Sequence, residues 1–335
     1  MLSVFLYAFN AVSPILILCL AGYFLKIRGI FDVDFFKKLN KLAFHYCFPA
    51  LMFVNVYSLD SIRKINVRLG IYIICSIIVL TLVGLVLANL LTKQRNRKGV
   101  ITQAGFRSNF AVIGLPLAEG LAGSDGLAVT SSMQAPVVIY YNFFAVLFFA
   151  IFSDDAQFDL KKVAHSIVSN PMIQGLTAGV VALVVREFIP VNADGSLVFT
   201  IKGSLPWFYT VLTYISRCAT PMALVYLGGQ FSFSQVAGFK KELIASVSMR
   251  LILAPVLGFS MVFLAVRCGF LTLSPAVMAT LIAVYGSPLS VSTVPMAAEM
   301  HADAALAGQV VVWTSFLSMF TIFTMVVICR FIGLL

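Results

Sequence analysis

Long apolar runs dominate this sequence and constrain its fold more than any other feature. A helix that crosses a bilayer needs about 20 apolar residues, and the runs between polar stretches divide the chain into ten such segments. They cover residues 3–25, 39–57, 70–91, 100–122, 127–152, 167–189, 206–229, 243–266, 275–298 and 305–330. Only 11% of the residues are charged, against roughly 25% in soluble domains. The sequence therefore predicts an all-α integral membrane protein with ten transmembrane helices.

The remaining composition excludes several classes of protein. The net charge of +10 is expected in the loops of a membrane protein, so we predict no nucleic-acid partner. The six cysteines form no CxxC pair and the three histidines are too few for a metal site, so neither a metal nor a cofactor is expected. No HExxH, GxSxG, Walker or GxGxxG motif occurs, and an intramembrane enzyme would need a nucleophile or paired acids at depth. We therefore predict that the protein is not an enzyme.

Basic residues are distributed unevenly over the two sides of the predicted bundle. The loops that follow odd-numbered helices carry thirteen lysines and arginines, whereas the opposite side carries seven, including Arg63 and Lys64. Because basic loops stay in the cytoplasm, both termini are predicted on the non-cytoplasmic side of a plasma membrane, the inner membrane in a bacterium. No charge precedes Lys26, so the first apolar run is expected to remain as a helix rather than act as a signal peptide.

Spacings of proline and glycine suggest an internal duplication. The eight-residue step from Pro14 to Gly22 in segment 1 recurs from Pro171 to Gly179 in segment 6. In segments 2 and 7, Pro49 and Pro221 match when one half is shifted by 172 positions. Membrane carriers are often built from such repeats, so the second half is predicted to be a copy of the first.

The number of helices per half fixes the relative orientation of the two copies. Five is odd, so the second copy enters the membrane from the opposite face and the repeats are inverted. The first repeat is predicted at 1–153 and the second at 162–335, with a short junction between them. Segments 4 and 9 are then symmetry mates.

Both of these segments contain helix-weakening residues near their middles. Ser108 and Asn109 lie near the centre of segment 4, and Ser287 and Pro288 near the centre of segment 9. A break at the bilayer centre leaves about four free N–H groups and about half a positive charge at the start of the second half-helix. The sequence therefore predicts two interrupted helices that cross at the midplane and bind an anion there.

Several short motifs resemble those of the auxin efflux carrier family, which includes plant auxin exporters and bacterial carriers of malonate and similar acids. The residues that carry the resemblance are Asn109, Gly114, Pro116 and Gly123 in segment 4, Gln134 in segment 5, and Ser287, Pro288, Ala297, Ala298 and Glu299 in segment 9. The resemblance implies a scaffold of helices 1, 2, 6 and 7, a mobile transport unit of helices 3–5 and 8–10, and a homodimer. One departure concerns Ser108, because the plant carriers have a proline at this position.

Together these patterns predict a secondary transporter that moves a small organic anion by alternating access, surrounded by membrane lipid. The candidate substrate-binding residues are Arg107, Ser108, Asn109, Gln134, Ser287, Pro288 and Ser290. Arg107 is included because a charge at membrane depth is expensive and therefore often functional. The competing interpretation is that the polar residues are ordinary contacts between packed helices.

Other roles and functions stay open at the level of sequence. His45 and Arg217 both lie four residues before a proline and are candidates for coupling or gating, or for structural pairing. The alternative functions are a sodium- or proton-coupled ion or bile-acid-like carrier of related architecture, and a membrane receptor without transport. A cation carrier would favour aspartates at the midplane, and the acidic residues lie instead at helix ends and in loops.

Overall fold

The computed structural model describes residues 2–59, 66–152, 160–192 and 197–335, which are mostly helical. The α-helices are α1 (Leu2–Ile27), α2 (Val33–Leu42), α3 (Phe48–Tyr57), α4 (Val67–Leu91), α5 (Arg95–Phe106), α6 (Leu115–Ile151), α7 (Leu160–Val168), α8 (Pro171–Arg186), α9 (Ile201–Ser204), α10 (Pro206–Gln230), α11 (Lys240–Ser248), α12 (Ala254–Arg267), α13 (Pro275–Gly286), α14 (Thr293–Glu299) and α15 (Ala304–Phe331). Arg63, Lys64 and most of the junction between the predicted repeats lie outside these ranges. The described part contains two isolated β-bridges and no strand, which confirms the all-α class.

Fewer helices have membrane length than the ten segments predict. Four stretches of the described chain are long and apolar enough to cross a bilayer, namely Val67–Leu91, Phe110–Ile151, Val236–Arg267 and Ala304–Phe331. A fifth results if α7 and α8, which bend by 63° at a short break, form one span. The predicted segments also cover shorter helices such as α13, because breaks divide the apolar runs. The ten-span arrangement stays a prediction.

Prolines account for several of these breaks. Wider π-helical turns occur at Ala43–Cys47, Phe110–Gly114 and Met249–Leu253, and each ends two residues before a proline, at Pro49, Pro116 and Pro255. A proline has no N–H to donate to the carbonyl four residues earlier, and its ring crowds that carbonyl. The preceding turn therefore widens, and π-turns of this kind are frequent at functional sites.

A sharp turn inside α6 reverses the direction of the chain. Ala122 and Gly123 have non-helical backbone angles, and Gly123 has a φ of 62°, a conformation that favours glycine. A β-carbon added at Gly126 would lie 2.4 Å from the carbonyl oxygen of Ala118, although residues eight apart in a straight helix are about 12 Å apart. The two parts of α6 therefore pack side by side.

Glycines allow two pairs of helices to approach closely. Gly175 and Gly179 of α8 lie against the backbone of Pro49 and Phe53 in α3, and a GxxxG motif of this kind favours close packing of helices. Gly22 of α1 lies in the same way against the Val225 carbonyl of α10. These contacts hold α1, α3, α8 and α10 together.

Buried apolar side chains form two clusters. The first joins α1, α3, α8 and α10 with α14, and the second joins α4, α12 and α13. Helices α5, α6 and α15 contribute to both clusters. The polar residues on α5 and α6 therefore lie on helices that both clusters hold in place.

Candidate functional site

Two helices stop inside the protein and their ends are joined by backbone hydrogen bonds. Helix α5 ends at Phe106 and α13 at Gly286. The Asn109 N–H donates to the Pro288 carbonyl (2.7 Å) and the Ser290 N–H donates to the Arg107 carbonyl (3.3 Å). Buried polar backbone groups need such partners when a helix is interrupted. We call residues 107–109 and 288–290 the crossing.

The local sequence explains the break after α13. A residue that precedes proline is displaced from helical to extended angles, and Ser287 has a φ of −65° and a ψ of 144°. In the other segment no proline stands at the break, and Arg107 is nevertheless extended with a ψ of 90°. The pairing of Ser108 with Leu289 in an isolated antiparallel bridge supplies the hydrogen bonds that the helix gives up there.

A cavity of about 70 Å³ lies against the crossing. Its walls come from α3, the crossing, α6, Thr220 of α10 and residues 290–292. Among the polar residues that line it are Asn55, Arg107, Asn109, Tyr141, Asn142, Ser290 and Ser292. The cavity therefore combines apolar walls with several polar groups, as small-molecule sites commonly do.

Arg107 is only 1% exposed and is surrounded by neutral acceptors. It donates to Gln103 Oε1 (2.8 Å), Asn142 Oδ1 (2.8 Å) and Ser292 Oγ (2.9 Å). Among the described residues no carboxylate lies within ion-pair distance of its guanidinium. The cavity wall therefore carries a positive charge that the protein does not neutralise.

Asn109 presents a hydrogen-bond donor that has no acceptor. Its amide nitrogen Nδ2 is buried and lacks a partner among the described residues, although an unmet buried donor costs about 1 to 3 kcal/mol. The neighbouring hydroxyls are engaged, because Ser108 Oγ lies 3.1 Å from Tyr141 Oη and Ser290 Oγ lies 2.9 Å from Ser292 Oγ. Because Asn109 also lines the cavity, its donor is a candidate contact for a ligand bound there.

Of the seven predicted substrate residues, the structure brings four to the cavity, namely Arg107, Ser108, Asn109 and Ser290. Ser287 is fully buried and its hydroxyl donates to the Ala283 carbonyl (2.6 Å), a common bond for a serine in the last turn of a helix. The Pro288 side chain does not line the cavity, and the residue contributes its carbonyl to the crossing. The expectation that Ser287 offers its hydroxyl to a ligand is corrected accordingly.

Gln134 lies in a second cavity of about 710 Å³, here called the vestibule. It shares that cavity with Ser58, which directly follows α3, and with Leu115 and several serines of α6. Asn142, which does line the first cavity, is eight residues further along α6, so the two side chains lie on the same helix face two turns apart. The predicted residue Gln134 thus lines the vestibule, and Asn142 of the same helix lines the cavity at the crossing.

His45 and Arg217 are not brought to the cavity. Both side chains are exposed, and His45 Nδ1 lies 3.0 Å from the Lys41 carbonyl within the same helical stretch. Exposed positions on an apolar helix bundle face lipid or another chain rather than the crossing. The structure therefore gives neither residue a contact with the candidate site.

Sequence reasoning missed Gln103, Asn142 and Ser292, which hold the Arg107 guanidinium. Asn142 is an isolated amide in a long aromatic run, and an uncharged polar residue in such a run was a signal that could have found it. Ser292 could be connected to Arg107 only through the crossing. Among the described residues no group of three His, Cys, Asp or Glu side chains could hold a metal ion.

An all-helical membrane protein with two interrupted helices and a polar cavity at their junction has the form of a membrane transporter. Residues 7–180, slightly more than half of the chain, match the model of a family described as membrane transport protein. The chain belongs to this family, the auxin efflux carrier family, as the sequence motifs predicted.

Two curated relatives are also named as transporters. The chain is 24% identical over 258 residues to an uncharacterized transporter of Methanothermobacter thermautotrophicus, covering 76% of this chain and 78% of the relative. It is 28% identical over 124 residues to an uncharacterized transporter of Methanocaldococcus jannaschii, covering 36% of this chain and 40% of that protein. Neither name specifies a substrate.

Proposed function

We propose that the protein is a secondary transporter that moves a small organic anion, a carboxylate of the auxin-like or dicarboxylate type, by alternating access. The observation that carries this proposal is the buried charge of Arg107 in a cavity wall without a carboxylate partner. An unpaired buried charge costs on the order of several kcal/mol. A bound anion would supply the missing counter-charge, whereas a cation would be repelled.

The donor geometry at the crossing favours a carboxylate. Asn109 offers a free amide donor, and hydrogen bonds to a charged group are about twice as strong as neutral ones. The helical stretch that begins at Phe110 adds the positive end of its dipole. The cavity of about 70 Å³ is small, so part of a larger substrate would extend beyond it.

The vestibule supplies a direction for that extension. Three pairs of residues on neighbouring turns have one member at the cavity and one at the vestibule. They are Asn55 and Ser58, Val112 and Leu115, and Val138 and Gln134, the first of each pair lining the cavity and the second the vestibule. With the predicted orientation of the helices, the vestibule would be on the non-cytoplasmic side, and we assign the structure to the outward-facing state of the proposed cycle.

The opposite side is closed by a contact between the proposed scaffold and transport units. Asn40 of α2 donates to Glu299 at the end of α14 (2.8 Å), and Asn40 is only 2% exposed. In an alternating-access cycle this contact would open when the vestibule closes. It is the cytoplasmic closure of the proposed mechanism.

Contacts between helices support the inverted repeat. The predicted registers align Gly22 with Gly179, and Phe53 with Val225. Gly22 packs on the Val225 backbone and Gly179 packs on the Phe53 backbone. A contact and its symmetry mate thus both occur, as two inverted copies would require. The proposed scaffold is the group of helices that these contacts join.

Transport by reconstituted protein tests this proposal. Proteoliposomes are loaded with [14C]malonate, [14C]acetate or [14C]indole-3-acetate, and efflux is compared with that of a labelled quaternary ammonium cation. We expect at least one carboxylate to leave, at a rate that depends on membrane voltage, and the cation to be retained. Arg107→Met should lower carboxylate flux at least about tenfold, because the charge that attracts the anion is removed. Undiminished flux in a folded Arg107→Met protein would contradict the proposal.

A further inference from the structure

A second arginine lies fully buried behind the crossing, at a position that the proposed anion site does not use. Arg250 is 0% exposed and belongs to the π-turn Met249–Leu253 between α11 and α12. Its guanidinium donates to the backbone carbonyls of Tyr285 (2.9 Å), Val284 (3.5 Å) and Gly105 (3.4 Å). One side chain therefore contacts both interrupted helices.

The three carbonyls belong to the C-terminal ends of α5 and α13. The last four carbonyls of a helix have no partner within it, and together they carry about half a negative charge. In α13 the Ala283 carbonyl is taken by Ser287 Oγ, which leaves the next two to Arg250. In α5 the Gln103 carbonyl accepts a hydrogen bond from the Arg107 N–H, and the Gly105 carbonyl remains available to Arg250. We call Gly105, Val284 and Tyr285 the carbonyl cradle.

The charge on Arg250 has no acidic partner. Among the described residues no carboxylate lies within ion-pair distance of it, and its Nε is buried without an acceptor. A structural ion pair is therefore not the reason for a charge at this position. In transporters with interrupted helices, the carbonyl ends of half-helices are where a free coupling cation binds.

We propose that Arg250 is a tethered cation, whose guanidinium fills a carbonyl cradle that would otherwise hold a free monovalent cation. By joining the negative ends of α5 and α13, it positions the crossing, two residues beyond Gly105, for the anion. Arg250 is thus a positioning residue, and its effect on the anion rests on the proposed function. The interaction of Arg250 with the carbonyl cradle does not depend on the proposed function, and it can be tested without a carboxylate.

Thermal unfolding in detergent, in choline chloride and without a carboxylate, tests the cradle. Arg250→Ala should lower Tm by roughly 5 to 10 °C, and millimolar methylguanidinium should restore at least half of the loss. Arg250→Lys should lose less than Arg250→Gln, because it keeps the charge. Arg267→Ala, which removes an exposed arginine from the end of α12, should melt like the parent and show no response to the cation.

The result that would overturn the proposal is equally specific. If Arg250→Lys melts as low as Arg250→Gln, and neither methylguanidinium, sodium nor potassium stabilises Arg250→Ala, the side chain only fills space. Should Arg250→Ala fail to fold even when expressed with methylguanidinium, the Tm values of Arg250→Lys and Arg250→Gln still show whether the charge at this position matters.

Flux in proteoliposomes connects the cradle to the anion. Parent protein should move [14C]malonate equally fast in sodium and in choline, whereas Arg250→Ala should be about tenfold slower and recover with methylguanidinium. A requirement of the parent for sodium would contradict a tethered cation. If the parent moves no carboxylate, the proposed function fails while the unfolding experiment still reports on the cradle.

Discussion

Two neighbouring residues contribute to the candidate site in different ways. Arg107 has its donors engaged by Gln103, Asn142 and Ser292, so it acts mainly through its charge. Asn109 has no charge, but its Nδ2 has no acceptor and can donate directly. In the proposed mechanism the arginine would therefore attract the anion, and the asparagine would fix its orientation.

The contribution of the Asn109 donor can be measured by removing it. Loss of one donor to a charged ligand costs about 1.5 to 3 kcal/mol, which corresponds to about a 10- to 150-fold weaker Kd. Asn109→Ala should therefore weaken binding of [14C]malonate by this factor in an equilibrium binding assay. Asn89→Ala, at an exposed position in α4, is the control and should bind like the parent. Equal Kd values for both variants would remove Asn109 from the site.

At this scale the sequence located some residues and not others for a physical reason. Arg107, Ser108 and Asn109 could be identified because a charge and two polar groups at membrane depth are unusual in themselves. Ser287 looked similar, but its hydroxyl is used by its own helix, and no pattern in the sequence distinguishes a hydroxyl that faces its helix from one that faces a cavity. Arg250 lies inside an apolar segment, and its partners are backbone carbonyls that only the fold brings together.

Among the helices, the close contact of α8 with α3 depends on a missing side chain. A β-carbon at Gly175 would lie 2.3 Å from the Pro49 carbonyl oxygen, so Gly175→Ala must displace backbone. Overpacking of this kind costs about 1 to 3 kcal/mol, and we expect a lower Tm in detergent. Gly238→Ala, where the added carbon meets nothing within 4 Å, should leave Tm nearly unchanged. A Gly175→Ala protein with the Tm of the parent would show that the two helices can move apart without a loss of stability.

The contact of α2 with α14 predicts a shift between conformations. Asn40→Ala removes the hydrogen bond to Glu299, which is worth about 1.5 to 3 kcal/mol, and should favour opening on that side. The reporter is a single cysteine at position 294 in a protein whose other cysteines have been replaced, because Val294 is buried beside an inner cavity. In the Asn40→Ala background this cysteine should react at least about tenfold faster with a membrane-impermeant maleimide added from that side. An unchanged rate, with Asn89→Ala as the reference, would exclude Asn40 from the closure.

The positions of the helices could be predicted where they depend on hydropathy, and less well where prolines change the course of a helix. The apolar runs located the helices, because burial in lipid requires such runs. They did not reveal that the runs around Pro49, Pro116 and Pro255 contain π-turns, since a proline can end, kink or widen a helix. The break at Ser287 followed from its proline, whereas the break at Arg107 depends on pairing with a segment about 180 residues away.

For the whole molecule, the distribution of basic residues predicts both termini on the non-cytoplasmic side. A fluorescent protein that folds only in the cytoplasm should be dark when fused to the C-terminus and bright when inserted after Lys93, in the loop between α4 and α5. The reverse pattern would contradict the orientation and place the vestibule on the cytoplasmic face.

Assembly is a separate expectation at this scale. A homodimer through the scaffold helices is proposed on the family resemblance, and native mass spectrometry in mild detergent can test it. The exposed positions of His45 and Arg217, together with other exposed residues of α3 and α10, are compatible with a surface that meets lipid or a second chain.

The backbone bonds that join Asn109 to Pro288 and Ser290 to Arg107 have a thermodynamic consequence. Because they tie the two interrupted helices to each other, the donors of the crossing would stay together in the transport unit of the proposed mechanism. A ligand would then keep its partners at the crossing whether it arrived from one face of the membrane or the other, and this part of its affinity would be similar on both. Such a protein has no built-in preference for uptake or release, so the net direction of flow would be set by the concentration ratio of the anion and by the voltage across the membrane.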